Sequence, residues 1–168
     1  MRVAKVLLLG DIGVGKTSIA RRLVLDRFES NYKATIGTDI YRYEVTPSPT
    51  GQPFHFVVWD TDGNFGESIF VHVYAKQADA AVIIGDVTRP ATLATARQLG
   101  DGFMDNFPGR PLIFIANKVD LLPGGDTDQC LPGLTSAGGQ PTIITSAKTG
   151  HHVRQAFDEL AAIIARRF

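Results

Sequence analysis

The run Gly10-Asp11-Ile12-Gly13-Val14-Gly15-Lys16-Thr17 spells G-x-x-x-x-G-K-T between two different hydrophobic patterns. Val3 to Leu9 is a continuous apolar run of strand length, and Ser18 onward reads as an amphipathic helix. In that setting the spacing has mechanical meaning. Asp11, Ile12, Gly13, Val14 and Gly15 would curl their N–H groups round phosphates, and the helix start at Lys16, Thr17 and Ser18 would add partial positive charge. Lys16 would reach the terminal phosphates, and the Thr17 hydroxyl would ligate Mg²⁺. The plain alternative is a Gly-rich turn with a chance lysine. The chemistry so defined is the binding of a nucleoside triphosphate, with neither base nor reaction specified.

Three further groups follow apolar runs. Asp60-Thr61-Asp62-Gly63 comes after the strand ending at Trp59: Asp60 can hold Mg²⁺ through water, and the Gly63 amide can bond a γ-phosphate. A surface turn would look the same. Asn117-Lys118-Val119-Asp120 follows Leu112 to Ala116, and Asp120 can accept two hydrogen bonds from guanine, for which adenine has no matching pair. Thr145-Ser146-Ala147-Lys148 ends another run and can offer a backbone N–H to the guanine O6.

These groups need a frame that sets them at one edge. Strands are expected at Val3–Leu9, Ile40–Thr46, Phe54–Trp59, Ala80–Ile84, Leu112–Ala116 and Thr142–Thr145. The second and third flank a Pro- and Gly-rich turn and read as a hairpin. The uninterrupted runs suit parallel strands covered on both faces. Helical spacing falls between them. Ile19 and Leu23 face inward with Arg21 and Arg22 outside; Leu93, Ala96, Leu99, Phe103 and Phe107 mark a second helix, and Val153, Phe157, Leu160 and Ile164 a third. Gly100 and Gly102 weaken the second by about 1 kcal/mol each relative to alanine. Residues 121–140 read as a loop with at most a short helix. The expected fold is α/β, a doubly wound, mostly parallel six-stranded sheet with one antiparallel strand and helices on both faces, its ligand crevice beyond the strand C-terminal ends.

Length and composition set bounds. A chain of 168 residues suits a single domain, 1–168, able to bury about two thirds of its unfolded surface. Formal net charge is zero and no basic stripe is evident, so nucleic acid is not the expected partner. The single cysteine, Cys130, excludes an internal disulfide and suits a reducing, cytoplasmic setting. No apolar run is long enough to span a membrane, and no terminal cysteine is available for prenylation. His55, His72, His151 and His152 have no zinc-like spacing and read as surface or capping residues.

Together and in this order, the four groups resemble the small GTPases of the Ras superfamily, most closely the Rab branch, and the resemblance covers nearly the whole chain. It implies a P-loop NTPase fold and a monomeric switch that binds GTP or GDP with Mg²⁺ and hydrolyses GTP. Tyr32 to Gly37 resembles the first switch, Trp59-Asp60-Thr61 the start of the second, and Tyr74 to Asp79 and Asp86-Val87-Thr88 are Rab-like. By the same resemblance Thr35 joins Thr17 and Asp60 at Mg²⁺, Phe28 packs edge-on against guanine, and Lys118 lies along the base and braces the phosphate loop. The alternatives are a core phenylalanine and a solvated lysine. Effector, exchange factor and activating protein would meet residues around 30–43 and 59–75. Trp59 and Tyr74 stand at two of three effector-reading aromatic positions, with Ile40 at the third; half-buried sheet aromatics are the competing reading.

Four positions depart from the pattern. Asn64 replaces the glutamine that orients the attacking water. Asp62 brings a second carboxylate near Asp60, and Phe65 stands where glutamate is common. Ile12 puts a branched side chain where the family carries glycine or a small residue. Lys16, Thr35, Gly63 and Asn64 are therefore the expected catalytic set of a slow enzyme. The alternative is a GTP-holding interaction module with negligible turnover, and an ATPase is opposed by the Asn117–Asp120 tetrapeptide.

Overall fold

β1 (Val3–Leu9) shows how the sequence builds two cores from one strand. Ala4, Val6 and Leu8 enter one hydrophobic cluster, while Leu7 and Leu9 enter the other, as the two-residue strand period requires. The computed structural model describes residues 2–31, 37–47, 51–61, 76–124 and 142–167.

Six strands form one sheet in the order β2-β3-β1-β4-β5-β6. They are β1, β2 (Thr38–Val45), β3 (Phe54–Thr61), β4 (Ala80–Asp86), β5 (Leu112–Asn117) and β6 (Thr142–Ile144). β2 pairs antiparallel with β3, from Thr38 opposite Thr61 to Val45 opposite Phe54, and every other pairing is parallel. The hairpin, the mostly parallel sheet and the single inverted strand are those expected.

Among the described residues there are three α-helices: α1 (Lys16–Leu25), α2 (Pro90–Asn106) and α3 (Val153–Ala165). Ile19, Ala20 and Leu23 of α1 pack with Val153, Phe157 and Leu160 of α3 on one sheet face. Ala96 and Phe103 of α2 pack against Leu7, Ile83 and Phe114 on the other. Both faces are covered, so the sheet is doubly wound.

Several boundaries differ from the sequence reading by a residue or two, and each difference has a cause. β4 and β5 run on to Asp86 and Asn117, which pair with each other in the ladder. β6 stops at Ile144, and Thr145 N–H bonds the Ala116 carbonyl from beyond it. α2 starts with Pro90, whose fixed φ suits a first helical position. α1 begins at Lys16, so Lys16 and Thr17 lie within its first turn. Gly100, a cost on propensity alone, has a packing reason: a Cβ there would lie 2.5 Å from Phe114 Cζ. Of the segment 121–140, Val119–Leu121 opens it as a short 3₁₀ turn, and residues 125–140 lie outside the described residues.

Candidate functional site

The phosphate loop bridges β1 and α1 at the point where the winding reverses, with β3 on one side of β1 and β4 on the other. Its backbone carbonyls are all engaged. Lys16 Nζ donates to Gly10 O at 2.9 Å and Asp11 O at 3.0 Å. Arg89 Nη2 donates to Ile12 O at 2.9 Å, Lys118 Nζ to Gly13 O at 2.7 Å, and Asn117 Nδ2 to Val14 O at 3.0 Å. The Gly15 carbonyl takes the first helical bond, from Ile19 N–H. The N–H groups of Gly13, Val14 and Gly15 have no acceptor among the described residues. Carbonyls held outward and donors left over make a nest for an anion, at the positive end of α1. Gly15 is required here: its φ is +103°, and a Cβ would stand 2.4 Å from Asn117 Nδ2.

Asp60 closes the other side of Lys16. It is fully buried, and its Oδ2 accepts from Thr17 Oγ1 at 2.5 Å. Oδ1 is buried with no hydrogen-bond partner among the described residues. Burial pushes the carboxyl up to about 6, although the Thr17 hydrogen bond and the Lys16 charge draw it down and Asp39 adds to the rise. An orphaned carboxylate oxygen beside a threonine hydroxyl supplies hard oxygen donors that would fit a Mg²⁺ ion. Thr35, Gly63, Asn64, Asp62, Phe65, Tyr74, His72 and Cys130 lie outside the described residues.

The residues expected to read a base converge from the end of β5 and the loop after β6. Asn117 is buried, and its Oδ1 accepts from Thr145 Oγ1 and from Ala147 N–H, both at 3.1 Å. Asp120 Oδ1 accepts from Ser146 Oγ at 2.7 Å, leaving Oδ2 without a partner among the described residues. Lys118 adopts a left-handed backbone, φ +70°, and so sends its ammonium back to Gly13 and to Asp86 Oδ2, 2.9 Å away. It is a brace rather than a solvated side chain. Phe28 is 39% exposed beyond α1, so it is not a core residue.

Two supports were not foreseen. Asp86, at the end of β4, accepts from Thr88 N–H and Oγ1 on one oxygen and from Arg89 and Lys118 on the other. These four bonds saturate its lone pairs. Burial alone would raise its carboxyl, but the bonds from Thr88, Lys118 and Arg89 outweigh it and hold the group below its ordinary value. A carboxylate at a strand end, paired in the ladder with Asn117, was the available clue. Arg22, expected outside, turns onto the loop after β6 instead: Nε donates to Ala147 O at 2.8 Å and Nη2 to Lys148 O at 2.6 Å. Helical spacing carries no sign of that.

Ile40 and Trp59 are register partners, so both project from the same sheet face. Ile40 is 54% exposed, whereas Trp59 is half-buried with Lys5 Nζ 3.7 Å from its ring centroid. Of the histidines, His55 faces Glu44 across the hairpin at 3.9 Å. His152 precedes α3 with its Nδ1 3.2 Å from Ile144 O, and its ring stacks 3.7 Å from that of His151.

A Gly-rich loop between the first strand and helix of a doubly wound sheet, with Asp60, Asn117 and Asp120 at neighbouring strand ends, defines the class, and the sequence model of the Ras family matches residues 5–166: the chain belongs to that family. Ras-related protein Rab-36 of Mus musculus is 34% identical over 170 residues, covering 97% of the chain. The Ypt/Rab-type GTPase YPT7 of Saccharomyces cerevisiae is 34% identical over 167 residues, 95% of the chain and 80% of that protein. Human Ras-related protein Rab-34 is 36% identical over 169 residues, 96% of the chain and 64% of that protein. The chain spans only 62% of the length of Rab-36.

Proposed function

We propose that this chain is a guanine-nucleotide switch that hydrolyses GTP to GDP with Mg²⁺ at a slow intrinsic rate, and that residues 1–168 are one domain. The observation that carries the reading is the Asn117–Lys118 pair. These neighbours hold Val14 O and Gly13 O of the phosphate loop, and Asn117 also holds Ala147 of the base loop. One ligand with both a purine and a polyphosphate is the reason to build two loops on shared supports.

In this reading, the loop N–H groups and Lys16 bind the β- and γ-phosphates. Asp120 accepts from the base edge through its open oxygen. When bound, Mg²⁺ neutralises charge on the β- and γ-phosphate oxygens, and Thr17, Asp60 and Thr35 would hold it on the protein side. Gly63 N–H would meet the γ-phosphate and Asn64 would orient water, one methylene shorter than glutamine. Ile12, 39% exposed on the loop, crowds the approach of an arginine supplied by another protein. Both changes point to slow turnover. Residues around 30–43 and 59–75 would change with the γ-phosphate and meet effector, exchange factor and activating protein. Such a switch would act as a cytoplasmic monomer; among the described residues, no helix is long and apolar enough to cross a membrane.

The test is single-turnover hydrolysis: protein loaded with GTP and Mg²⁺, bound GTP and GDP quantified over hours, with a folded Lys16→Ala control. Conversion absent from the control supports a self-resetting switch. GTP retained without conversion supports a holding module, and failure to load guanine nucleotide refutes both.

A further inference from the structure

Arg22 belongs to the helix that starts with Lys16 and Thr17, yet its guanidinium ends on a loop 125 residues away, at Ala147 O and Lys148 O. Its side chain is only 16% exposed, and its stem passes the bare Gly150, where a Cβ would sit 3.6 Å from Arg22 Cδ. The loop it grips holds the residues assigned above to base reading, so any role of Arg22 in recognition rests on that functional reading.

Counting donors along the loop singles out one peptide. Ser146 N–H bonds His151 O, Ala147 N–H bonds Asn117 Oδ1, Thr149 N–H bonds Ser146 Oγ, and Gly150 N–H bonds Ser146 O. Of the N–H groups this tetrapeptide could offer to a guanine O6, that of Ala147 is thus already engaged. Lys148 N–H has no acceptor among the described residues. It shares a peptide plane with Ala147 C=O, and in a trans peptide the two point in opposite directions. Fixing the carbonyl therefore aims the N–H.

We propose that Arg22 is a positioning residue for guanine recognition: by gripping the Ala147 and Lys148 carbonyls, it aims the Lys148 N–H at the O6 of the base. The arginine fork does this with two donors fixed in one plane, which a single ammonium cannot match. Arg22 also reaches Asp26 O at 3.1 Å and Asp26 Oδ1 at 3.2 Å, which holds the end of α1. The two roles need separate variants.

The experiment measures dissociation constants of nucleotide-stripped protein for GDP and for 6-thio-GDP. The analogue keeps the N1–H and 2-amino group that Asp120 would accept, and replaces O6 by a poor acceptor. Arg22→Ala is expected to weaken GDP about tenfold, the worth of one well-made hydrogen bond, and 6-thio-GDP by less than about twofold. Arg22→Lys should fall between Arg22→Ala and wild type in its preference for GDP, and Asp26→Asn should leave the preference unchanged. Equal loss for both nucleotides, or a loss of preference in Asp26→Asn, would overturn the proposal by tracing the effect to general loosening or to the helix end. A folded Arg22→Ala with wild-type preference overturns it as well. If wild-type protein binds GDP no better than ADP, the guanine reading itself fails and takes this proposal with it.

Discussion

Asn117→Ala removes the buried polar side chain that joins the phosphate loop to the loop after β6. The residue is 1% exposed and makes three hydrogen bonds, to Val14 O at 3.0 Å and from Thr145 Oγ1 and Ala147 N–H at 3.1 Å each. Each is worth about 1 kcal/mol net, and a buried partner left unsatisfied adds part of its desolvation cost, so the loss should be about 3–5 kcal/mol. For a chain of this length that lowers Tm by about 10 °C. Urea unfolding of nucleotide-free protein followed by circular dichroism reads the loss directly, with the m-value unchanged if only stability has moved. Asn117→Asp gives an independent check. It keeps an acceptor for Thr145 and Ala147 but turns the donor facing Val14 O into a second oxygen. Burial against a carbonyl raises that carboxyl above its unfolded value, because only the protonated form can donate. The variant should therefore be more stable at pH 5 than at pH 8, losing stability as pH rises through the raised value. A loss below about 1 kcal/mol for Asn117→Ala, or an Asn117→Asp stability flat from pH 5 to 8, would refute the claim that this side chain joins the two loops.

Asp86→Ala removes the acceptor shared by Thr88, Arg89 and Lys118 and should cost about 1.5–3 kcal/mol by chemical denaturation, since Lys118 is partly exposed and keeps its bond to Gly13 O. In wild type the Asp86 carboxyl lies below its ordinary value, so its contribution is present above about pH 4 and is lost as pH falls through the folded value; stability measured down to pH 3 should fall less steeply in Asp86→Ala. Two glycines of one helix should behave oppositely. Gly100→Ala, whose Cβ would meet Phe114 at 2.5 Å, should destabilise despite its better propensity, while Gly102→Ala, with nothing within 4 Å, should gain up to about 1 kcal/mol in thermal unfolding. The Ile12→Gly, Asn64→Gln double mutant should hydrolyse bound GTP faster than wild type in single-turnover assays; an unchanged rate would count against both residues as the cause of slow turnover.

Strands and helix faces were legible because apolar runs and 3.6-residue spacing report burial directly: Val6 with Leu8, Leu7 with Leu9, and the Val153–Ile164 stripe all lie where periodicity puts them. The phosphate loop and Asn117–Asp120 were legible because their chemistry fixes residue type at fixed spacing. The supports were not. Arg22 sits at a position that periodicity assigns to solvent and Arg89 precedes α2, outside any periodic element; a long side chain can leave such a position and reach a carbonyl several ångströms away. The motif also located the Ser146–Lys148 loop without showing which of its N–H groups the protein itself consumes, since that depends on Asn117 Oδ1. Gly100 read as a defect because propensity sees the helix alone and not the Phe114 ring against it.

The phosphate loop does not hold its own shape. Of its carbonyls from Gly10 to Gly15, the Gly10, Asp11 and Gly15 oxygens bond within β1–α1, whereas those of Ile12, Gly13 and Val14 are held by Arg89, Lys118 and Asn117. The three borrowed donors come from the ends of β4 and β5, and Asp86 links two of them by binding both Arg89 and Lys118. Asn117 extends the connection to Ala147, and Arg22 returns it to the helix that carries Lys16. The ring of contacts is closed, so a displacement of the loop after β6 moves carbonyls that set the aim of the Gly13, Val14 and Gly15 N–H groups. If the two loops read base and phosphate as proposed, their affinities cannot be tuned independently, because Asn117 joins both loops and its neighbour Lys118 holds the phosphate loop. Coupling of this kind has a physical carrier in named hydrogen bonds, and its size is the interaction energy of a double-mutant cycle between Arg22 and Lys118. Additive losses in nucleotide affinity would mean that the ring is open at some point; a shortfall from additivity of about 1 kcal/mol or more is expected of a closed one.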